Sequence, residues 1–207
     1  MDNFRRRLLS QDADPKPYVD LGLSSGTLWA KGNLVKNGTE YAIGEETDFG
    51  TFVSWGNIDG HNGDEGYGFS STNYKSTAGN SLTGNISAND ADHDICLARL
   101  GAHWRLPTRM HFKELYDETY HEWTTLNGVG GIKFENKNNR SKFIFFPYTG
   151  HYIDTKLEYP DSYGDCWSSS YKDSSTAYCL EFTSGGIYIP SYKTRYRGFT
   201  VRPIYIQ

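Results

Sequence analysis

Apolar and polar residues alternate in short runs along most of the chain, and only two stretches carry the wider spacing of a helix. Tyr18-Val19-Asp20-Leu21 and Leu28-Trp29-Ala30 flank the turn-forming Ser24-Ser25-Gly26, which predicts a strand pair. Thr51-Phe52-Val53-Ser54-Trp55 alternates like a further short strand. Residues 56–89 are rich in Gly, Asn, Ser and Asp, with isolated Tyr67, Phe69 and Tyr74. A loop of that length is unusual inside a compact domain and often carries function.

The first predicted helix starts near Asp90, capped by Asn89 or Asp90, with acids in its first turn. Ala91, Ile95 and Ala98 form its apolar face and Gly101 ends it. The second follows Leu106-Pro107, with Thr108 as N-cap and Phe112, Leu115 and Tyr116 as an amphipathic stripe. Strands then resume. Ile132–Glu135 and Phe143–Phe146 flank Asn136-Lys137-Asn138-Asn139-Arg140, and 177–182 and 187–189 flank Thr183-Ser184-Gly185-Gly186, two hairpin signatures. A last strand spans 199–206, with Pro203 marking an edge or bulge.

Central helices followed by a run of antiparallel strands make the fold class α+β. No internal repeat is present. Residues 1–16 are polar and charged and read as a flexible tail or attachment arm, leaving 17–207 as a single domain. Trp29, Trp55, Trp104, Trp167, Phe112, Leu115, Phe145, Phe182 and Phe199 are the expected core, and the N- and C-terminal strands are expected to pair.

Composition narrows the function classes. Of 207 residues 15% are aromatic, enough ring area for a core without metals or disulfides. A net charge of -4 argues against a nucleic-acid partner, and no run is long and apolar enough for a membrane span. Met1 to Ser10 holds Arg5, Arg6 and Arg7 but no apolar signal core. Three cysteines are too few for a disulfide framework; Cys166 and Cys179 lie close enough in sequence to bridge, with buried free thiols as the alternative.

Asp59 to Glu65 is rich in oxygen ligands, but Gly63 and His61 occupy ligand positions of a calcium loop, so a solvated tip is the better reading. The acids of Asn89 to Asp94 are explained by helix capping. The six histidines form no metal-spaced pair, and neither a GxSxG elbow nor a phosphate-binding glycine motif occurs. No catalytic residue, metal or cofactor is therefore expected. Between Tyr163 and Arg197, tyrosines mixed with Ser, Gly and a few charges match a binding surface in composition, while alternate tyrosines on a half-buried sheet face are the plainer account.

Six ordered blocks shift that balance: Tyr18 to Ala30, Phe52 to Gly56, Asn89-Asp90-Ala91 with His103-Trp104-Arg105-Leu106-Pro107-Thr108, Phe146 to Gly150, Cys166 to Ser170, and Gly198 to Pro203. Together they resemble the Fibrobacter major paralogous domain family of gut Bacteroidetes over residues 18–205. That family is similar to the C-type lectin fold, in the branch shared with formylglycine-generating enzymes. The C-terminus, with WSSS, a strand, a Gly-rich turn and then a run before RYRGFTVRP, resembles the variable proteins of diversity-generating retroelements.

The resemblance implies a C-type-lectin scaffold with two helices on small twisted antiparallel sheets. It implies non-catalytic recognition of a cell-surface protein or glycan, with the chain expected to be virion-associated or at a cell surface through an assembly, and otherwise cytoplasmic. Diversified, ligand-binding positions would be Tyr192, Lys193, Thr194 and Arg197, with Asp165, Tyr171, Cys179, Glu181 and Tyr188. Tyr171, Tyr188 and Tyr192 would anchor the ligand; Lys193, Arg197, Asp165 and Glu181 would tune charge. Trp167, Phe199, Val201 and Arg202 would be scaffold. The alternatives are a formylglycine-generating-type enzyme, which needs two cysteines poised together, a structural or pilus-like surface component, and calcium-dependent sugar binding.

Overall fold

Leu23 accepts from the Gly26 amide across the Ser24-Ser25 turn (2.9 Å), and Gly26 holds φ +74, which its lack of a Cβ allows. This turn joins β1 (Tyr18–Asp20) to β2 (Leu28–Ala30) in the expected antiparallel pair. The computed structural model describes residues 16–63 and 65–207. Apart from Lys16, the proposed attachment arm lies outside the described residues, as does Asp64 of the acidic loop.

Two hairpins and three α-helices precede the main sheets among the described residues. β3 (Leu34–Asn37) pairs with β4 (Glu40–Ile43), neither expected from the pattern. The 56–89 loop contains α1 (Ser71–Tyr74) and a 3-10 turn (Ala78–Ser81), so it is less irregular than its composition suggests. The Thr51–Trp55 strand is reduced to single bridges from Phe52 to His61 and from Val53 to Phe199.

The helix expected from Asp90 is α2, shortened to Ile95–Leu100. Asp94, not Asn89 or Asp90, caps it by accepting from the Cys96 and Leu97 amides, while Asp90 bonds His93 within a preceding turn. Ala91 is accordingly exposed and outside the helix. α3 (Arg109–Glu118) begins after the Thr108 cap as expected, closed by a reciprocal His111–Thr108 capping box. Phe112 and Leu115 are buried; Tyr116 is exposed and falls off the stripe. Glu114 and Glu118 of this helix accept from Ser24 and Ser25, fastening the first turn to it.

Strands dominate the rest. β6 (Thr119–Leu126), β7 (Val129–Asn136) and β8 (Phe143–Pro147) form one antiparallel meander. β9 (His151–Ile153) and β10 (Lys156–Glu158) form a hairpin. β11 (Tyr163–Tyr171), β12 (Thr176–Thr183) and β13 (Gly186–Thr194) form a second meander. The expected 199–206 strand survives as β14 (Ile204–Tyr205), which pairs with β2 and with β5 (Trp104–Arg105), so the first and last strands share one sheet of order β1-β2-β14-β5. With helices of four, six and ten residues, the architecture is a set of small antiparallel sheets with few helices, richer in sheet than the α+β expectation.

The second meander separates two cores. Trp55, Trp104, Trp167, Cys179 and Phe199 pack on one side; Trp29, Phe112, Leu115, Cys166, Leu180 and Phe182 pack on the other. All nine expected core residues are buried. Arg202, fully buried, ties them together: its guanidinium donates to Ala30 and Lys31 carbonyls, to Asn33 Oδ1 and to the Phe145 carbonyl. Burial lowers its pKa to about 10, but four acceptors satisfy the charge.

Candidate functional site: one face of the C-terminal meander

A single extra residue in β13 decides which side chains share a surface. Cys179 lies opposite Ser191 and Glu181 opposite Tyr188, so two steps on β12 span three on β13. Such a bulge reverses the alternation of a strand. Before it, Ile187 and Ile189 point into the α3 core and Tyr188 points away. After it, Ser191 and Lys193 take over the side of Tyr188, where both bond Glu181: Ser191 Oγ donates to Oε2 at 2.6 Å and Lys193 Nζ to Oε1 at 2.7 Å.

Asp165 is the cross-strand neighbour of Glu181 on β11. One carboxylate oxygen accepts from His151 Nδ1 at 2.9 Å, and the other, also buried, has no partner among the described residues. His151 Nε2 in turn faces Arg197 Nη1 at 3.3 Å. Because a guanidinium can only donate, Nε2 must accept, which assigns the imidazole proton to Nδ1. The row therefore runs Arg197, His151, Asp165, Glu181, Lys193, with Ser191 and Tyr188 beside it.

The electrostatics follow from burial. Burial pushes the Asp165 carboxyl up, against the His151 hydrogen bond. Burial works against the Lys193 charge as well, yet the bond to Glu181 and its carboxylate outweigh it and the ammonium is held on more firmly. Burial raises the Cys179 thiol well above its ordinary value, with Asp165 and Glu181 adding to it, and raises Cys166 to about 11. Both are neutral, poor nucleophiles.

The nine resemblance-derived positions divide accordingly. Glu181, Tyr188 and Lys193 share the outer part of the face, and Arg197 reaches its end through His151. Asp165 and Cys179 are 0% and 3% exposed, which corrects their assignment as surface ligand contacts. The reason is cover: β9 lies against Asp165, the Phe199-Thr200 segment runs beside β11, and Cys179 points down onto Trp167. Tyr171 is half-buried against Trp55 and Arg195. Tyr192 is 51% exposed but on the opposite face, beside Tyr178 with Lys172 Nζ 3.9 Å above its ring. The half-buried Thr194 lies opposite Thr176, its hydroxyl buried without a partner. The scaffold set Trp167, Phe199, Val201 and Arg202 is buried throughout, Trp167 stacking on Phe199 at 4.3 Å.

His151 and Ser191 belong to the site and were not singled out from the sequence. Ser191 could have been found from Lys193 by strand alternation; His151 arrives through the β9–β10 hairpin, which left no legible pattern. Cys166 and Cys179 are free and buried in different cores on opposite faces, so the cysteine pair of the enzyme alternative is not assembled. Among the described residues no group of three or more His, Cys, Asp or Glu is placed to hold a metal ion, and no helix is long and apolar enough to cross a membrane. What the face offers is donors, acceptors and ring surfaces.

Comparison with protein-family models, curated proteins and solved structures returns no match. The family resemblance therefore rests on the sequence blocks themselves.

Proposed function

We propose that this chain is a non-catalytic recognition protein on a C-type-lectin-type scaffold, binding a cell-surface glycan or protein through the exposed β13 margin of the face that carries Glu181, Tyr188 and Lys193. The observation that carries this reading is the gathering of Glu181, Tyr188, Lys193 and Arg197, scattered over seventeen positions, at one face whose scaffold neighbours are buried. The sharing of one sheet by the first and last strands and the long, mostly irregular 56–89 segment support the scaffold. Exposed Tyr188 gives contact area at low entropic cost, and the Glu181–Lys193 pair gives polar specificity. Presentation on a virion or cell surface suits such a face, and substitution of its codons suits a scaffold held by other residues.

Retention on outer-surface preparations from bacteria tests the proposal. Wild-type protein should be retained, and Tyr188→Ala with Lys193→Ala should abolish retention without unfolding the chain. Retention unchanged in the double variant, or none for wild type across a broad panel, would overturn it. Diversification has its own test: a second, near-identical copy of the last roughly 40 codons, differing at adenines, near the gene.

A further inference from the structure

Arg197 stands apart from the other cations of the face. Lys193 is neutralised by Glu181 at 2.7 Å. Arg197 has no carboxylate within ion-pair distance among the described residues. Its Nη1 rests on His151 and its buried Nε finds no partner among the described residues. Nη2 makes no hydrogen bond among the described residues either.

The guanidinium is nevertheless held in place. Asp165 fixes His151 at 2.9 Å, and His151 fixes Arg197 at 3.3 Å. Asp165 and His151 are both almost fully buried, so the two form a rigid mount for a cation that is itself only half-buried. On either side of that one imidazole the chain leaves a buried donor, Arg197 Nε, and a buried acceptor, the second Asp165 oxygen, unsatisfied. Native structures leave few such groups, and each calls for an explanation, a bound polar ligand being one.

A ring wall stands beside the mount. Tyr159, 53% exposed, lies 5.8 Å from His151 and packs on Tyr163 at 4.7 Å. Tyr159 and Asp161 both adopt positive φ, +52 and +61, so the bend carrying this ring is fixed in an uncommon conformation. An oriented guanidinium without a carboxylate prefers a planar carboxylate, which it can grip with two parallel N–H bonds. An exposed tyrosine ring beside the His151 of the mount can accept the C–H side of a pyranose. The geometry points to an acidic sugar, a carboxylate-bearing pyranose, as the ligand class, gripped by Arg197 with Tyr159 as its platform and with Asp165 and His151 as positioning residues. This rests on the recognition reading above and names the chemistry that face selects.

The test measures binding of the full chain to immobilised galacturonate, glucuronate and N-acetylneuraminate glycosides. Their neutral counterparts and a tri-glutamate peptide are run alongside. Wild type should hold at least one acidic glycoside about tenfold more tightly than its neutral partner. Arg197→Gln should erase that preference, Arg197→Lys should keep part of it, and Tyr120→Ala, remote on β6, should leave it intact. A merely structural Arg197 would lower the melting temperature without changing the acid-to-neutral ratio. No preference for any acidic glycoside, a preference untouched by Arg197→Gln, or equal retention of tri-glutamate overturns the inference. If surface preparations are still bound through Tyr188 and Lys193 in that case, the recognition reading survives and only the ligand class falls; if they are not, both fall.

Discussion

Lys193 and Glu181 close an ion pair across β12 and β13 only because one extra residue in β13 turns Lys193 toward Glu181. Glu181 is 13% exposed at its side chain and sits next to the buried Asp165, so the pair is better shielded from solvent than a surface bridge. Removing Lys193 alone leaves two carboxylates as cross-strand neighbours. A double-mutant cycle with Glu181→Gln and Lys193→Met should give a coupling energy of about 1 kcal/mol by denaturant unfolding. Additive effects would mean that the pair contributes only to the shape of the surface.

Asp94 makes stability depend on pH in an unusual direction. Burial raises its folded-state pKa to about 6, opposed by the Leu106, Leu97 and Cys96 amides, against 3.8 for the free group. A carboxyl with a raised folded pKa contributes stability that is fully present below the unfolded value and lost as pH rises through the folded one. The Asp94 contribution should therefore grow by roughly 2–3 kcal/mol between pH 7 and pH 4. Urea midpoints measured across that window should show an increment that Asp94→Asn removes. A difference curve that is flat, or slopes the other way, would disprove the assignment.

Arg202 is a buried cation satisfied by carbonyls and an amide rather than by a carboxylate. Lysine cannot reach those four acceptors from one ammonium, because the planar fork is what spans them. Arg202→Lys should destabilise the chain by about 2–4 kcal/mol in chemical denaturation. Arg202→Met should cost at least as much, since it strands all four acceptors.

The three thiols should be silent in the native protein. Cys96, Cys166 and Cys179 are buried, and burial raises each one's pKa. A thiol-reactive chromophore at pH 8 should label none on the native chain within minutes and all three in denaturant. Prompt labelling of Cys179 alone would show that the binding face opens far enough to expose Trp167 beneath it.

How far the sequence carries this structure depends on whether a signal is local. The Thr108 cap, the Ser24-Ser25-Gly26 turn and the hairpins around Asn136 and Gly185 are each written within a few residues, and each is found where expected. The sequence places the α2 start too early because several acids compete as caps, and Asp94 prevails by also accepting from Leu106, a contact made only in the tertiary fold. β6 leaves no strand signal because its exposed Tyr120 and Trp123 flank His121 in no clean alternation. At the site, Glu181, Tyr188, Lys193 and Arg197 were legible through resemblance, but which of them share a face was not. Strict alternation would seat Tyr192 beside Tyr188 and send Lys193 to the far side, and the bulge does the reverse. The Arg197–His151–Asp165 row joins three separate segments, and its members are unremarkable when taken one by one.

The β13 bulge also limits how such a surface can change. Swapping side chains at Tyr188 or Lys193 alters what the face offers while every residue keeps its side. Deleting one residue between Ile187 and Ser191 would rotate everything beyond it by half a turn, sending Lys193 into the α3 side and bringing Tyr192 to the other. Variation by replacement is compatible with this strand, and variation in length is not.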